Sequence, residues 1–329
     1  MTTNLLSSGT PSLYGLFIAL STVVLLAYAF YYTIVKKYDK NALTYIAPAA
    51  ILLGFIGARL MYVTVNGNHY QEAANKWKLM DGGYALYGAA AGVIIAAVAV
   101  WLVMKRRFSL LHVFDAVCAA APLAVAVGRM GSVFSEDFFG KRVKSEGLQF
   151  FPVAIFKSSD GSYRYALFFY EAVFCILVFF LVRYIDKKVK CCGTSAYLFT
   201  VLYCSERAFI EILRETEDGM KVGWVRVNQL ISIVVVLAAF VFISIKLCMK
   251  TGFKPAYLIS YAIFMAALTA AVISVVKFEQ NSDTVYKVLI MIFCLVIAAT
   301  ATYSGLLYAI AMKKSPEKSK KTIKAAKKQ

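Results

Sequence analysis

Apolar residues run along this chain in blocks, not in the alternation of a half-buried strand or the narrow stripe of a soluble helix. The blocks lie near 13–34, 44–65, 83–104, 110–128, 166–185, 194–213, 228–247, 256–276 and 286–312. Each is close to the roughly 20 residues that cross a bilayer as a helix, so the pattern predicts nine transmembrane helices. The first block has no basic flank before it and no small-residue cleavage signature close after it, and it is expected to be a retained helix. The longest polar connection, about 129–165, is short for a unit that must bury a core of its own. No soluble domain is expected.

Composition agrees with the pattern. Hydrophobic residues make up 60% of the 329 and charged residues 16%, against about 25% charged in soluble domains. The fold class is therefore an all-α polytopic membrane protein. Seven cysteines are scattered along the chain with no disulfide spacing. Cys191 and Cys192 begin a cytoplasmic helix, where acylation is chemically open but ordinary usage is expected. Only His69 and His112 are present, on opposite sides of the membrane. No metal site and no cofactor are expected.

The net charge of +18 would suggest nucleic-acid binding in a soluble protein; here the cations are sorted by side. Connections at 36–40, 105–107, 183–190 and 246–254, with the tail from Lys313, together carry 21 Lys and Arg, and the alternate connections carry 12. By the positive-inside tendency the N-terminus is outside and the tail cytoplasmic. That tail is expected to face anionic lipid, so no nucleic-acid partner is assigned.

Ionisable side chains inside a bilayer are costly and usually functional. Arg59, Asp115, Arg129, Glu171, Glu206, Arg207, Glu211 and Arg214 fall within or at the edge of the blocks. Tyr203, Arg207, Glu211 and Arg214 are spaced i, i+4, i+8 and i+11 and share one helix face. Arg207 and Glu211 suit an i, i+4 ion pair. Yet Arg59, Arg129, Arg207 and Arg214 all lie toward the outer ends of their helices, where Glu171, Glu206 and Glu211 cannot neutralise four guanidiniums and the outer lysines together. A lipid phosphate is the anion at that depth, and arginine's planar fork suits it. Glycines mark the same level. Gly88 and Gly92 form a small-xxx-small pair suited to helix packing, while Gly128 and Gly131 bracket Arg129 and are expected to let a phosphate approach the backbone.

Six segments come in an order that resembles a known family: GARLMYV at 57–63, DGGYALYGAAAGV at 81–93, FDAVCAAAPLAVAVGRMG at 114–131, YE at 170–171, YCSERAFIEILRE at 203–215 and NQLIS at 228–232. Together they resemble the bacterial prolipoprotein diacylglyceryl transferases, seven-helix enzymes of the cytoplasmic membrane with the N-terminus outside. The resemblance implies transfer of the diacylglyceryl group of phosphatidylglycerol to a lipobox cysteine in the signal peptide of a prolipoprotein, releasing glycerol phosphate. It implies catalytic roles for Arg129, Arg207, Tyr87, Glu211 and Asp137. It further implies lipid contacts for Arg59, Gly128, Gly131, Ser132, Gly140, Glu171, Tyr203 and Arg214, with Asp115 and Gly88 supporting. Departures are specific: Ser132 stands where the family pattern usually has asparagine, Ser135, Glu136 and Asp137 replace an asparagine–glycine–glutamate run, and Tyr87 stands where histidine is common. Residues 1–250 are expected to form the seven-helix domain, 251–312 two further helices outside the family pattern, and 313–329 a lysine-rich cytoplasmic tail. Two other readings stay open: a lipid-binding relative with different or no chemistry, and an anionic solute or lipid transporter, which the lack of an internal repeat disfavours.

Overall fold

The computed structural model describes residues 13–65, 86–105, 107–134, 139–189, 191–214, 221–222, 225–252, 255–281 and 284–326. Among these, nine α-helices coincide with the nine apolar blocks: α1 (Leu13–Lys36), α2 (Lys40–Val65), α3 (Leu86–Val103), α4 (Leu110–Gly131), α5 (Leu167–Val189), α6 (Thr194–Leu213), α7 (Val227–Thr251), α8 (Pro255–Asn281) and α9 (Thr284–Ala326). Six of them, α1, α2, α4, α5, α7 and α9, contain stretches long and apolar enough to cross a membrane, and α3 and α8 carry shorter apolar stretches. Large apolar side chains such as Leu52, Ile95, Leu177, Phe180, Val234 and Leu295 are exposed on the outside of the bundle. In water that surface would aggregate; against lipid tails it is the expected finish. The chain is a multi-pass membrane protein.

The exception is α6. With Glu206, Arg207 and Glu211 in its last two turns it is too polar to be recognised as a span by composition, yet α4, α5, α7 and α9 surround it. Its other face is apolar and packs with α7, α8 and α9 around Val201, Phe240, Phe264 and Ala301. The polar face is thus carried into the bundle by a helix whose opposite side is an ordinary core element.

Close backbone approaches fix the remaining pairs. Gly54 and Gly57 of α2 meet Gly88 and Gly92 of α3 so closely that a Cβ on Gly88 would collide with the Gly57 carbonyl oxygen, and one on Gly92 with the Leu53 carbonyl. Gly88 is therefore a packing residue, as the small-xxx-small spacing predicts. At the end of the bundle formed by the C-terminus of α1, buried Asp115 of α4 accepts hydrogen bonds from Tyr32 (3.1 Å), Tyr38 (3.3 Å) and the Ala196 backbone N–H (3.0 Å). It thereby satisfies a free N–H in the first turn of α6, where a negative charge also suits the helix dipole. Lys36 reaches Asp186 of α5 at 2.6 Å at the same end. These contacts anchor the foot of α6 and so set where its far end points.

The connection from α4 to α5 is more ordered than a solvated loop. After a 3-10 turn at Glu146–Leu148, strands β1 (Ala154–Lys157) and β2 (Ser162–Tyr165) form an antiparallel hairpin in which Ala154 pairs with Tyr165 and Lys157 with Ser162. The Gly140 N–H donates to Tyr165 O and the Lys141 N–H to Leu213 O, both at 2.8 Å, which stitches the hairpin to the end of α6. A second short hairpin, β3 (Lys221–Val222) with β4 (Val225–Arg226), precedes α7. The all-α expectation is corrected to that extent: the helices make the membrane part, and short strands cap one end.

Candidate active site

Three helix ends carry the site. Arg129 lies in the last turn of α4, Glu171 in the first turns of α5, and Tyr203 and Arg207 in the second half of α6. On α5 the buried positions Leu167, Phe168, Glu171, Ala172, Cys175, Val178 and Val182 fall at helical spacing. That stripe carries the Glu171 carboxylate inward along with the apolar residues. Arg129 is held at the same depth because α4 packs on α5 and α1.

Glu171 is the hub. Its Oε2 lies 2.9 Å from Arg129 Nε and 3.0 Å from Arg207 Nη1, and its Oε1 accepts a hydrogen bond of 2.9 Å from the Tyr203 hydroxyl. The carboxylate is buried and both guanidiniums are nearly so. Two full positive charges therefore meet one negative charge in a setting where water cannot screen them. Each guanidinium has five N–H donors, of which Glu171 occupies a small share. Glu171 by itself cannot balance two guanidiniums, and their planar forks suit an anion with more than one oxygen.

The i, i+4 pairing of Arg207 with Glu211 is not what forms. Arg207 turns to α5, and Glu211, fully buried, faces Arg214 with Nη1 to Oε2 at 3.9 Å. Glu171 on α5 is the carboxylate that Arg207 meets, in company with Arg129 and the Tyr203 hydroxyl. Arg214 also forms a backbone bridge with Gly140, so Gly140 ties the β1–β2 hairpin to the end of α6. Its Cα sits against Tyr165, Leu167 and the Leu213 carbonyl, where a side chain would not fit.

Helix α4 runs through Gly128 and stops at Gly131, and α1 lies beside both: Ser21 and Ile18 at ordinary contact distance from Gly128, and the Phe17 side chain close against Gly131. Ser132, the C-cap of α4, is buried, and its N–H donates to the Arg129 carbonyl, while the Val133 N–H donates to that of Met130. Arg59 is buried on α2, 5.9 Å from the Tyr62 ring, and is not among the groups that converge on Glu171. Asp115 lies at the opposite end of α4 from Arg129, beside the start of α6. Asp137 and the side chain of Tyr87 lie outside the described residues.

One residue stands apart from this network. Glu206 is 8% exposed, and both its carboxylate oxygens are buried without a hydrogen-bond partner. Position alone marked it in the sequence; its company did not. No group of three or more His, Cys, Asp or Glu able to hold a metal occurs among the described residues.

The sequence profile of the prolipoprotein diacylglyceryl transferase family matches residues 5–245. Relatives named phosphatidylglycerol–prolipoprotein diacylglyceryl transferase include one from Clostridium novyi, 31% identical over 247 residues, which are 73% of this chain and 91% of the relative. One from Clostridium botulinum (strain Loch Maree) is 32% identical over 240 residues, covering 70% of this chain and 90% of the relative. One from Thermotoga maritima is 29% identical over 231 residues, covering 67% and 78%. The matched stretch contains Arg129, Glu171, Tyr203, Arg207 and Glu211 and stops short of α8 and α9. This chain belongs to the prolipoprotein diacylglyceryl transferase family of membrane transferases.

Proposed function

We propose that this protein moves the diacylglyceryl group of phosphatidylglycerol onto the lipobox cysteine of prolipoproteins, in the outer half of the bacterial cytoplasmic membrane. The observation that carries the reading is the sharing of Glu171 by Arg129 and Arg207, which sets two guanidiniums side by side in a buried site at one end of the bundle. In the reaction the cysteine sulfur bonds to the glycerol carbon, the C–O bond to phosphate breaks, and glycerol phosphate departs with the electron pair. Arg129 and Arg207 hold the lipid phosphate and take up the charge that grows on its leaving oxygen. Such donors, fixed in place before the reaction, are each worth on the order of 10²–10³ in rate.

Glu171 and Tyr203 keep the two guanidiniums from swinging apart, and Glu211 orients Arg214 at the rim. Holding both membrane-bound reactants in one cleft supplies a further part of the acceleration. Nine spans with the N-terminus outside and the tail in the cytoplasm fit the sorting of charge and place Arg129 and Arg207 at outer head-group depth. Residues 1–250 act as the transferase unit, α8 and α9 as an addition packed on α6, and the lysine-rich end as a cytoplasmic tail.

Mass spectrometry tests the reading. A lipobox peptide incubated with phosphatidylglycerol vesicles and the purified protein is expected to gain a diacylglyceryl thioether on cysteine. An unmodified peptide would leave a lipid-binding relative without this chemistry, and phospholipid moved across the vesicle bilayer instead would identify a transporter.

A further inference from the structure

Glu206 has no partner, and a buried carboxylate in that condition requires a cause. It stands on α6 beside Arg207, where the charged groups acting on it are Glu171, Arg207 and Arg129. Helix α5 runs inward from Glu171, and Cys175 lies one turn deeper. Glu206 is the leading charged influence on that deeper thiol, ahead of Glu171. Its Cα is one residue nearer the Asp115 end of α6 than that of Arg207, and its carboxylate borders the Arg129–Glu171–Arg207 cluster on the Cys175 side.

Displacement at carbon requires the nucleophile opposite the leaving group. With the phosphate on the arginines, the thiol arrives from the deeper side. Resting on the function proposed above, we propose that Glu206 is the catalytic residue that accepts the proton of the substrate cysteine. The S–H proton passes to a Glu206 oxygen, the sulfur forms its bond to the glycerol carbon, and the C–O bond breaks with its electron pair to the phosphate oxygen held by Arg129 and Arg207. Glu206 then returns the proton to the departing phosphate or to water. The missing hydrogen-bond partner is the substrate thiol itself.

The groups facing Glu206 are Arg129 from α4, Glu171 and Cys175 from α5, and Tyr203, Cys204 and Arg207 from its own helix. On the α7 and α9 side, α6 presents Ser205 and Ala208 to Gln229, Ile290 and Cys294, with no charged group lining that cavity.

The test is the pH dependence of thioether formation by the parent protein and by Glu206→Gln, reconstituted with phosphatidylglycerol and a lipobox peptide. Near neutral pH the variant is expected to lose roughly 10²–10⁴ in rate, the usual worth of a positioned base. As pH rises through about 8.5, where a free thiol ionises unaided, the variant is expected to recover toward the parent, which a merely structural loss would not do. A variant within twofold of the parent at neutral pH, or one depressed equally at every pH, overturns the assignment to Glu206 and leaves the transferase reading intact. A parent that forms no thioether at any pH overturns both.

Discussion

Arg129 and Arg207, from two helices almost eighty positions apart in the chain, bind the same carboxylate oxygen, at 2.9 and 3.0 Å. Each arginine reaches across to α5 for that carboxylate, which carries a single negative charge. Function and stability therefore pull on one residue.

Replacing Glu171 with Gln separates the two demands. Removing the charge leaves two buried guanidiniums facing each other, a loss of the kind that costs about 3–5 kcal/mol when one partner of a buried pair is deleted. Thermal unfolding in detergent is expected at a clearly lower temperature, with transfer reduced at least about tenfold because the arginines lose their shared anchor. An unchanged melting temperature would show that Glu171 does not carry the pairing.

Packing between α2 and α3 offers a test remote from the chemistry. Gly88→Ala puts a methyl group against the Gly57 carbonyl, which backbone cannot yield cheaply, and is expected to destabilise by about 1–3 kcal/mol. Gly147→Ala, where nothing lies within 4 Å, serves as the control and should leave unfolding unaltered.

At the β1–β2 turn, hydrogen bonding to Arg164 holds the Asp160 carboxyl down at about 2. Because the folded value is depressed, the tie contributes above the ordinary carboxylate range, near pH 4, and is lost as pH falls through about 2. Asp160 is exposed to solvent, so Asp160→Asn should cost below about 1 kcal/mol. Tryptic cleavage after Lys157 and Arg164 at neutral pH is expected to quicken severalfold in the variant; equal cleavage would remove Asp160 from the turn's support.

Between α5 and α6, burial pushes the Cys192 thiol up to about 11 and raises Cys191 as well. Cys192 stays protonated at pH 8, so its alkylation there should be slower than that of a free cysteine by on the order of 10²-fold. Labelling at the rate of a free thiol would mean that this connection is open to solvent.

The spans of the helices were legible because apolar blocks of bilayer length have few other uses. Even α6 was visible, since its polar residues keep a helical spacing within an apolar frame. Two features were not. The β1–β2 hairpin has strands of four residues, too short for alternation to register beside basic and turn-forming neighbours. The partner of Arg207 was hidden for another reason: i, i+4 spacing favours Glu211 locally, and only the packing of α5 against α4 and α6 brings Glu171 between two cations. At Gly131 the close approach of Phe17 from α1 is likewise not readable from spacing.

Central to the account is the claim that Arg129 and Arg207 act together on a lipid phosphate. Its most direct measurement is thioether formation on a lipobox peptide by the parent, Arg129→Ala and Arg207→Ala proteins at matched membrane insertion. The account predicts product from the parent and a loss of at least about 10²-fold in each variant. Product at the parent's rate from either variant would contradict it.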